Sequence, residues 1–318
     1  MNNTPLFTII LVLYKKFDNV YQALDSVFCQ TYQNIELIVT DDGSPNFPIK
    51  EINEYILLNK KKNIKNYLIL DNKINVGTVK HLNNAFKKVS GRLVKCLAGD
   101  DQFYDKNVIK KIVERYNNHP FNVLSTTSIS YTNDGEFYRF YPHFLTGKKI
   151  DKIMPDAESQ WNYLKRWKYH DLASGSTMVY DTDFFRSLGG FDETYRLWED
   201  GPFMYLMTKK GYKIDTAFDI ISIRYSQGGV SSNGNSQIAK EVAFLIKQTR
   251  DLYRDNDSFH NRRYLEFLYL TNSAKNRCER YLNYLKFIDI YLCHKFYHYC
   301  ENNRGKKDLK YYKLLINK

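Results

Sequence analysis

Two acidic doublets stand in the chain, each just after a short apolar run. Asp41-Asp42 follows residues 35–39, and Asp100-Asp101 follows residues 93–97. A strand that ends in carboxylates delivers them to one edge of a parallel sheet, which is the edge where open α/β folds bind ligands. Adjacent carboxylates repel each other unless a cation or a sugar hydroxyl takes them up. The pattern therefore predicts a site for a metal ion and a nucleotide.

Each doublet also has a simpler interpretation. The Asp-Gly pair Asp42-Gly43 is typical of a turn. A turn and a contact with uracil or ribose are therefore equal explanations of the first doublet. The second doublet could cap the next helix, although Asp105 could already serve there. Mn²⁺ and Mg²⁺ take carboxylate oxygens together with substrate phosphates. That chemistry favours the functional interpretation for Asp100-Asp101.

A third acidic pair, Glu199-Asp200, follows Trp198 and precedes an apolar helix pattern. A carboxylate at a helix start in a cleft can act as a general base, whereas the alternative is an ordinary helix N-cap. Asn75 and Gly77 open another helix pattern and could leave backbone N–H groups for a phosphate. The histidines show no spacing that is typical of a metal site.

The elements that must position these residues alternate between strand and helix patterns over the first 120 residues. This order predicts a mostly parallel sheet with right-handed crossovers. The middle of the chain predicts a hairpin followed by mixed short elements, and from residue 239 the pattern is helical, with a break at 302–307. The predicted strands are 7–13, 35–39, 67–70, 93–97, 123–131, 136–141, 177–180, 212–217 and 220–225. The main predicted helices are 20–29, 52–58, 79–89, 108–116, 157–169 and 239–253.

Composition narrows the class of protein. The chain has 318 residues, 43% of them hydrophobic, and a formal net charge of +12. A basic balance favours nucleotide phosphates, nucleic acid or acidic membrane as partners, and a Lys-rich solvated surface is the alternative. Five cysteines without a C-x-x-C pair fit a reducing cytoplasm. No apolar stretch approaches the length of a membrane span, and the start of the chain does not resemble a signal peptide.

The last quarter carries a basic, aromatic and amphipathic pattern. Such a helix can rest on an anionic membrane, or its apolar stripe can pack on the catalytic domain or on a second subunit. The residues that mark it are Tyr281, Tyr284, Leu285, Ile288, Tyr291, Leu292 and Lys295.

Taken together, the motifs closely resemble the family 2 glycosyltransferases of the GT-A fold. The resemblance runs through residues 7–14, 23–32 and 36–44, then Asn75-Val76-Gly77, residues 98–101, and residues 189–192 with 198–200. It implies an α/β, Rossmann-like, mostly parallel sheet flanked by helices, with a helical C-terminal extension. A catalytic domain would span 1–235, with a nucleotide-binding half (1–120) and an acceptor half (121–235), and the extension would span 236–318.

The resemblance also implies roles for single residues at the nucleotide. Val12 and Tyr14 would hold the uracil ring, and Asp42 would contact the base. Asp100 would contact the donor ribose, and Asp101 would bind the metal ion on the diphosphate.

For the chemistry, the resemblance assigns the catalytic base to Asp200 and the sugar and acceptor pocket to residues 174–177. Two departures from the family pattern stand out. The usual Arg after the Asn-x-Gly turn is absent, so Lys80 is the candidate cation there. The usual late His is also absent, so Arg224 or the following Gly-rich loop is the candidate to cover the diphosphate.

These features predict an inverting glycosyltransferase that depends on Mn²⁺ or Mg²⁺ and takes its sugar from a UDP-sugar or related donor. The acceptor would be a glycan or a lipid-linked glycan in the synthesis of a bacterial surface polysaccharide such as a capsule. The protein would be cytoplasmic, with peripheral contact at the inner face of the membrane or a homodimer through the C-terminal helices. The alternatives are a nucleotide-sugar-binding protein without turnover and a nucleic-acid binder. Without a G-x-G-x-x-G after the first strand, a dehydrogenase is disfavoured.

Overall fold

A computed structural model describes residues 4–132, 134–142, 152, 154–165, 172–226, 236–253 and 258–316. The Gly-rich loop 227–232, residues 166–169 of a predicted helix and Asn133 of the predicted hairpin lie outside these ranges. The described strands are β1 (Phe7–Leu13), β2 (Ile35–Asp41), β3 (Ile64–Asp71), β4 (Leu93–Ala98), β5 (Asp101–Phe103), β6 (Val123–Tyr131), β7 (Phe137–Tyr141), β8 (Met178–Asp181) and β9 (Asp215–Ser226). The described helices are α1 (Val20–Phe28), α2 (Ile49–Asn59), α3 (Thr78–Phe86), α4 (Val108–Asn118), α5 (Ala157–Leu164), α6 (Thr182–Ser187), α7 (Asp200–Lys209), α8 (Ser236–Tyr253), α9 (Phe259–Asn272), α10 (Arg277–Lys286) and α11 (Ile288–Ile316).

The described strands form a single mixed sheet in the order β3-β2-β1-β4-β8-β6-β9-β5, with β7 paired to β6. β3, β2, β1 and β4 run parallel to one another, whereas β8 is antiparallel to both β4 and β6. Continuous apolar runs are typical of parallel strands that are covered on both faces. β2 is such a strand, since all seven of its residues are buried. The predicted parallel arrangement of the first four strands is therefore confirmed.

The strand register places both acidic doublets at one edge of the sheet. Leu13 at the end of β1 is paired with Asp41 of β2, and Val12 is paired with Ala98 of β4. β2 and β4 flank β1 in parallel, so the residues that follow them leave the sheet at the same edge. The placement predicted from the two apolar runs is confirmed.

Helices cover both faces of this sheet, and each face has its own apolar core. α1, α2 and α4 contribute Val20, Ile52 and Ile109 to the core on one face. α3, α6 and α7 contribute to the other face, which is rich in aromatic rings such as Phe185 and Phe203. α8 joins this second core through Leu245, while its neighbour Ile246 packs with α9 and α11.

The structure differs from the sequence prediction in three places. β5 was not predicted, because its three residues lie within the second doublet and its turn. The two predicted strands 212–217 and 220–225 are one strand, β9, because a register shift against β6 absorbs the residues between them. The predicted break at 302–307 is absent, and the helix instead breaks at Phe287. Stacking of Tyr312 on Phe137, with 4.4 Å between ring centroids, holds the end of α11 on β7.

None of the described helices is both long enough and apolar enough to cross a bilayer.

Candidate functional site

Asp42 lies under the turn that opens α3 and is almost entirely enclosed there. Its Oδ1 accepts the Val76 N–H at 2.9 Å, and its Oδ2 accepts the Gly77 N–H at 3.0 Å and the Asn75 side-chain amide at 2.8 Å. Burial acts to raise the pKa of Asp42, but hydrogen bonds from His81, Val76 and Asn72 outweigh it and hold the pKa below its usual range. The first consequence is that Asp42 anchors the Asn75–Gly77 turn.

A second consequence concerns the phosphate contact that the sequence indicated at this turn. The N–H groups of Val76 and Gly77 already donate to Asp42, so they are not left for a phosphate. Gly77 has φ +89°, and a Cβ there would lie 2.6 Å from Cγ of Arg196. Only glycine allows that close approach without strain.

Asp41 forms the simpler structure that its sequence allowed. Its carboxylate accepts the N–H and the hydroxyl of Ser44, both at 2.6 Å. The Ser44 hydroxyl in turn accepts the Lys15 N–H at 2.7 Å, which ties the segment after β1 to the segment after β2. The turn interpretation therefore holds for Asp41.

Val12 and Tyr14 stand at the same edge. Val12 is half-buried near the end of β1, and its carbonyl accepts the Gly99 N–H at 3.0 Å. Tyr14 lies just beyond β1 with 40% of its surface exposed, and the Lys15 ammonium lies 4.9 Å from its ring centroid. An exposed ring above the end of the first strand is available to a planar ligand.

The cation at the Asn75–Gly77 turn is Arg196. The Arg196 guanidinium donates to Oδ1 of Asn75 at 2.7 Å, and the backbone carbonyl of Arg196 accepts the Val79 N–H at 3.1 Å. Lys80, the residue indicated by the sequence, is exposed on α3. The one feature of the sequence that points to Arg196 is its position four residues before Asp200.

Asp101 is the first residue of β5 and is 8% exposed, while Asp100 beside it is half-buried. Burial, and then the charge of Asp100, raise the pKa of Asp101 to about 8. The helix-cap alternative does not apply to this doublet, since α4 starts at Val108 with Asn107 before it. A buried carboxylate beside a second one calls for a cation.

Lys95 supplies one buried cation beside the second doublet. Its ammonium group is fully buried and donates to the Ser176 carbonyl at 2.6 Å. Burial lowers the pKa of Lys95 to about 7, against the charges of Cys96 and Asp101. The signal for it in the sequence is a lone lysine within the apolar run 93–97.

Asp200 is the first residue of α7 and lies half-buried between two loops. Its Oδ2 accepts the Gly175 N–H and its Oδ1 accepts the Gly201 N–H, both at 2.7 Å. Each carboxylate oxygen has two lone pairs, so each retains one for another proton. The cap alternative does not apply here, because Glu199 holds the N-cap position and makes no side-chain capping bond.

Glu199 lies in different surroundings from its neighbour. Burial, and then the charge of Asp200, raise the pKa of Glu199 to about 8. A Cβ at Gly175 would lie 2.6 Å from Oε1 of Glu199, so the loop backbone at Gly175 closely approaches this carboxyl group. Two adjacent carboxylates in unlike surroundings are a common arrangement of acid and base in active sites.

The second doublet and the third acidic pair meet at β4. The charge of Asp101 acts to raise the pKa of Lys95. The pKa of the adjacent Cys96 is raised to about 12, first by burial and then by the charge of Glu199. Both acidic pairs therefore lie beside the carboxyl-terminal half of one strand. The structure brings Asp100, Asp101 and Asp200 into one region.

Arg224 is not brought into that region. It is paired across the sheet with Gln102 and donates to that side chain at 3.1 Å. Successive residues of a strand point to opposite faces. Arg224 therefore lies on the face of β5 opposite to Asp101.

Glu241 of α8 is a residue that the sequence pattern did not indicate. Its carboxylate, 5% exposed, accepts the backbone N–H groups of Arg196 at 2.9 Å, Leu197 at 3.1 Å and Trp198 at 2.9 Å. It thereby holds the segment just before Glu199. No local signal could have shown this, because the contact joins residues more than forty positions apart.

The region around Asp100 and Asp101 has a donor set that fits a divalent cation in one mode of binding only. Among the described side chains, no three from His, Cys, Asp and Glu converge on one position. Mg²⁺ and similar ions are commonly held by one or two carboxylates together with substrate phosphates. Asp101, with a raised pKa beside Asp100, fits that mode of binding.

A model of a known protein family matches this chain. The model of glycosyl transferase family 2 matches residues 8–187. An uncharacterised glycosyltransferase of Rickettsia typhi is 28% identical over 203 residues, which cover 62% of this chain and 57% of that protein. The match thus spans little more than half the length of that relative.

A second relative is matched along nearly its whole length. It is the Escherichia coli protein WfaP, named a UDP-Glc:alpha-D-GlcNAc-diphosphoundecaprenol beta-1,3-glucosyltransferase. The two chains are 25% identical over 284 residues, which cover 87% of this chain and 97% of WfaP.

Two solved structures resemble the described fold. S. aureus TarS 1–349 in complex with UDP-GlcNAc has a TM-score of 0.57 at 15% identity and covers 89% of this chain and 73% of its own. Mannosyltransferase PcManGT from Pyrobaculum calidifontis, in complex with GDP-Man and Mn²⁺, has a TM-score of 0.57 at 14% identity, with 99% and 89% covered. At such identities the likeness shows the fold alone.

Proposed function

Since the chain belongs to glycosyl transferase family 2, we propose that it moves a sugar from a nucleotide-diphosphate donor to an acceptor hydroxyl with inversion. The observation that carries this proposal is the Asp200 carboxylate, aligned by the N–H groups of Gly175 and Gly201 beside the strand that leads into Asp100-Asp101. A base and a donor site at the same sheet edge are what such a transfer requires.

The donor lies along the edge formed by the ends of β1, β2 and β4. The exposed ring of Tyr14 and the half-buried Val12 hold the base, and Asp100 contacts the ribose. Asp42 supports this site through the Asn75–Gly77 turn. Arg196 faces the diphosphate in place of Lys80, because its guanidinium already lies at that turn.

Asp101 would hold a divalent cation at the diphosphate of the donor. When bound, Mn²⁺ or Mg²⁺ supplies neutralisation of the negative charge on the leaving diphosphate. Lys95 remains with the Ser176 and Met178 carbonyls, where it offsets part of the charge of Asp101.

The transfer is a single displacement. The acceptor oxygen forms a bond to the anomeric carbon, and its proton passes to the Asp200 carboxylate. The bond from the anomeric carbon to the diphosphate oxygen breaks, and its electron pair leaves with the nucleotide diphosphate. Glu199 stays protonated near neutral pH because its pKa is raised to about 8, so the base is Asp200 rather than its neighbour.

We assign a UDP-sugar as donor and a lipid-linked glycan as acceptor, in surface polysaccharide synthesis. Support comes from WfaP, whose name gives a UDP-Glc donor and a diphosphoundecaprenol-linked acceptor, and from TarS with UDP-GlcNAc. PcManGT is in complex with GDP-Man, so the identity of the donor's nucleobase is the first property to test.

The test is a screen of UDP-, GDP- and dTDP-sugars with Mn²⁺, in which release of the nucleotide diphosphate is measured with and without a GlcNAc-diphospholipid acceptor. The proposal expects acceptor-stimulated release from a UDP-sugar. Binding of UDP-sugars without release for any acceptor would instead support the non-catalytic alternative.

A further inference from the structure

The C-terminal helices expose an apolar stripe that the rest of the protein leaves uncovered. Along α10 and α11 the exposed fractions are 68% for Tyr281, 67% for Leu285, 47% for Ile288, 59% for Leu292, 69% for Phe296 and 66% for Tyr299. These six residues, called the outer stripe, recur every three or four positions, as do residues that share one helix face. The helix breaks at Phe287 within the stripe, and at 1.5 Å per residue the part of the stripe on α11, from Ile288 to Tyr299, is about 17 Å long.

The opposite face of the same helices already makes the packing that the fold needs. Phe287 and Ile290 are buried against Phe267 of α9. Tyr284 and Tyr291 stack on each other with 4.4 Å between ring centroids. Of the two possibilities that the sequence left open, inward packing therefore accounts for Tyr284 and Tyr291, but not for the outer stripe.

A basic cavity lies between α9 and the face of α10 and α11 that packs inward, and no residue of the outer stripe lines it. It has a volume of about 330 Å³ and is lined by Arg280, His294 and Lys295 together with Asn272, Tyr284 and Tyr291. Arg280 precedes Tyr281 and Lys295 precedes Phe296, so each cation lies about 100° round its helix from the stripe. Among the described residues, neither cation forms an ion pair with a carboxylate.

The net charge of the C-terminal helices indicates which kind of partner covers the outer stripe. Residues 259–316 contain 12 Lys and Arg against five Asp and Glu, a formal +7 out of the chain's +12. A second copy would bring two basic faces together, and like charges oppose that contact. An anionic bilayer complements the cations and accepts the apolar side chains at the same time.

We propose that α10 and α11 lie flat on an anionic phospholipid bilayer. The outer stripe enters the boundary between headgroups and acyl chains, and the exposed side chains of Arg280 and Lys295, which flank it, pair with headgroup phosphates. None of the described helices could cross the bilayer, so the contact is peripheral. The inference does not depend on the proposed reaction, because it concerns binding that needs neither donor nor acceptor.

The test is flotation of the full chain with vesicles of pure phosphatidylcholine and of phosphatidylcholine mixed with phosphatidylglycerol. The full chain should float with the mixed vesicles and much less with the neutral ones. A triple variant, Leu285→Gln, Leu292→Gln and Phe296→Gln, should reduce binding at least tenfold. Replacing Arg280 and Lys295 with Gln should weaken it about fivefold for each cation, from about 1 kcal/mol per charge near such a surface.

The matched control is Leu57→Gln with Leu58→Gln, which removes two apolar side chains that are 56% and 83% exposed on α2. This control should float like the unaltered protein. Three results would overturn the proposal: no flotation of the unaltered chain with mixed vesicles, unchanged flotation of the triple variant, or a stripe-dependent dimer in solution without vesicle binding.

Discussion

At the residue scale, the chemistry depends on how two adjacent carboxylates differ. Glu199 is half-buried, and desolvation of its carboxyl group raises its pKa to about 8, whereas the Asp200 carboxylate accepts two backbone N–H groups and has lone pairs to spare. The difference between these side chains could not be predicted from sequence, since it depends on the desolvation of Glu199 and on the Gly175 N–H that a distant loop brings to Asp200.

The raised pKa of Glu199 predicts a pH dependence of stability. Unfolding returns Glu199 to its ordinary pKa of 4.5, so its folded-state pKa of about 8 makes stability fall as pH rises from about 4.5 to about 8. Glu199→Gln removes this loss, so the difference in Tm between variant and unaltered protein should grow by a few °C, on the order expected for such changes, between pH 5 and pH 8. Thermal unfolding at several pH values measures it.

The control for this experiment is Glu54→Gln on α2, an exposed glutamate whose replacement should leave the pH profile unchanged. A difference between Glu199→Gln and the unaltered protein that stays constant with pH would contradict the assigned surroundings of Glu199.

Asp101 leads to a prediction about the metal ion. Because its pKa is raised to about 8, metal binding must displace a proton, and the affinity for Mn²⁺ in the presence of UDP should rise with pH up to about 8. Asp101→Asn should abolish the Mn²⁺-dependent part of UDP binding in calorimetry. Unchanged affinity in this variant would reject Asp101 as the metal ligand, and Asp105→Asn on the next turn provides the control.

Arg196 and Lys80 can be separated as candidates for the cation at the diphosphate. Arg196 contacts the Asn75 turn at 2.7 Å, while Lys80 is exposed on α3. Arg196→Gln should weaken UDP binding about tenfold, on the scale of one charge-assisted hydrogen bond, and Lys80→Gln should not. Titration with UDP and then with uridine checks this, because only the diphosphate should be sensitive. The reverse order of effects would return the role to Lys80.

At the element scale, α8 is what ties the helical extension to the site. Glu241 gathers three backbone N–H groups of residues 196–198, and Leu245 one turn later packs in the core beneath them. The helix pattern itself was predictable from its spacing. Its attachment was not, because one carboxylate in a charged helix looks like ordinary surface.

Glu241 should therefore act as a positioning residue. Glu241→Ala leaves three N–H groups unpaired, and displacement of Arg196 and Asp200 should lower kcat about 10- to 100-fold. Glu241→Gln keeps one acceptor oxygen and should restore part of the activity, while Lys240→Ala on the same helix should have no effect. Steady-state kinetics for all three would test the role, and full activity of Glu241→Ala would contradict it.

At the scale of the whole molecule, the parallel half was readable from sequence because its strands are apolar throughout and end in acidic residues. The mixed half was less so. β5 is three residues long and β9 contains a register shift, and neither leaves a periodic signal. The long α11 was predicted to break at Asn302 and Gly305, but packing of Tyr312 against Phe137 outweighs the weak helix propensity there.

Some residues of the candidate site were likewise predictable from the sequence, and others were not. The doublets, Asn75, Gly77 and Asp200 were predictable as motif residues, and the sheet register brings both doublets to one edge. Arg196, Lys95 and Glu241 were not, since each acts through a contact between distant segments. Arg224 was the natural candidate on its strand, and pairing with Gln102 turns it to the other face.

The central claim is that Asp200 takes the acceptor proton while the donor binds elsewhere along the sheet edge. The most direct measurement compares Asp200→Asn with the unaltered protein in acceptor-dependent release of UDP from the best donor, with UDP affinity measured in parallel and Asp219→Asn, an exposed position on β9, as control. UDP affinity should be unchanged, and turnover should fall by about 10²-fold or more. Near-normal turnover of Asp200→Asn would contradict the claim.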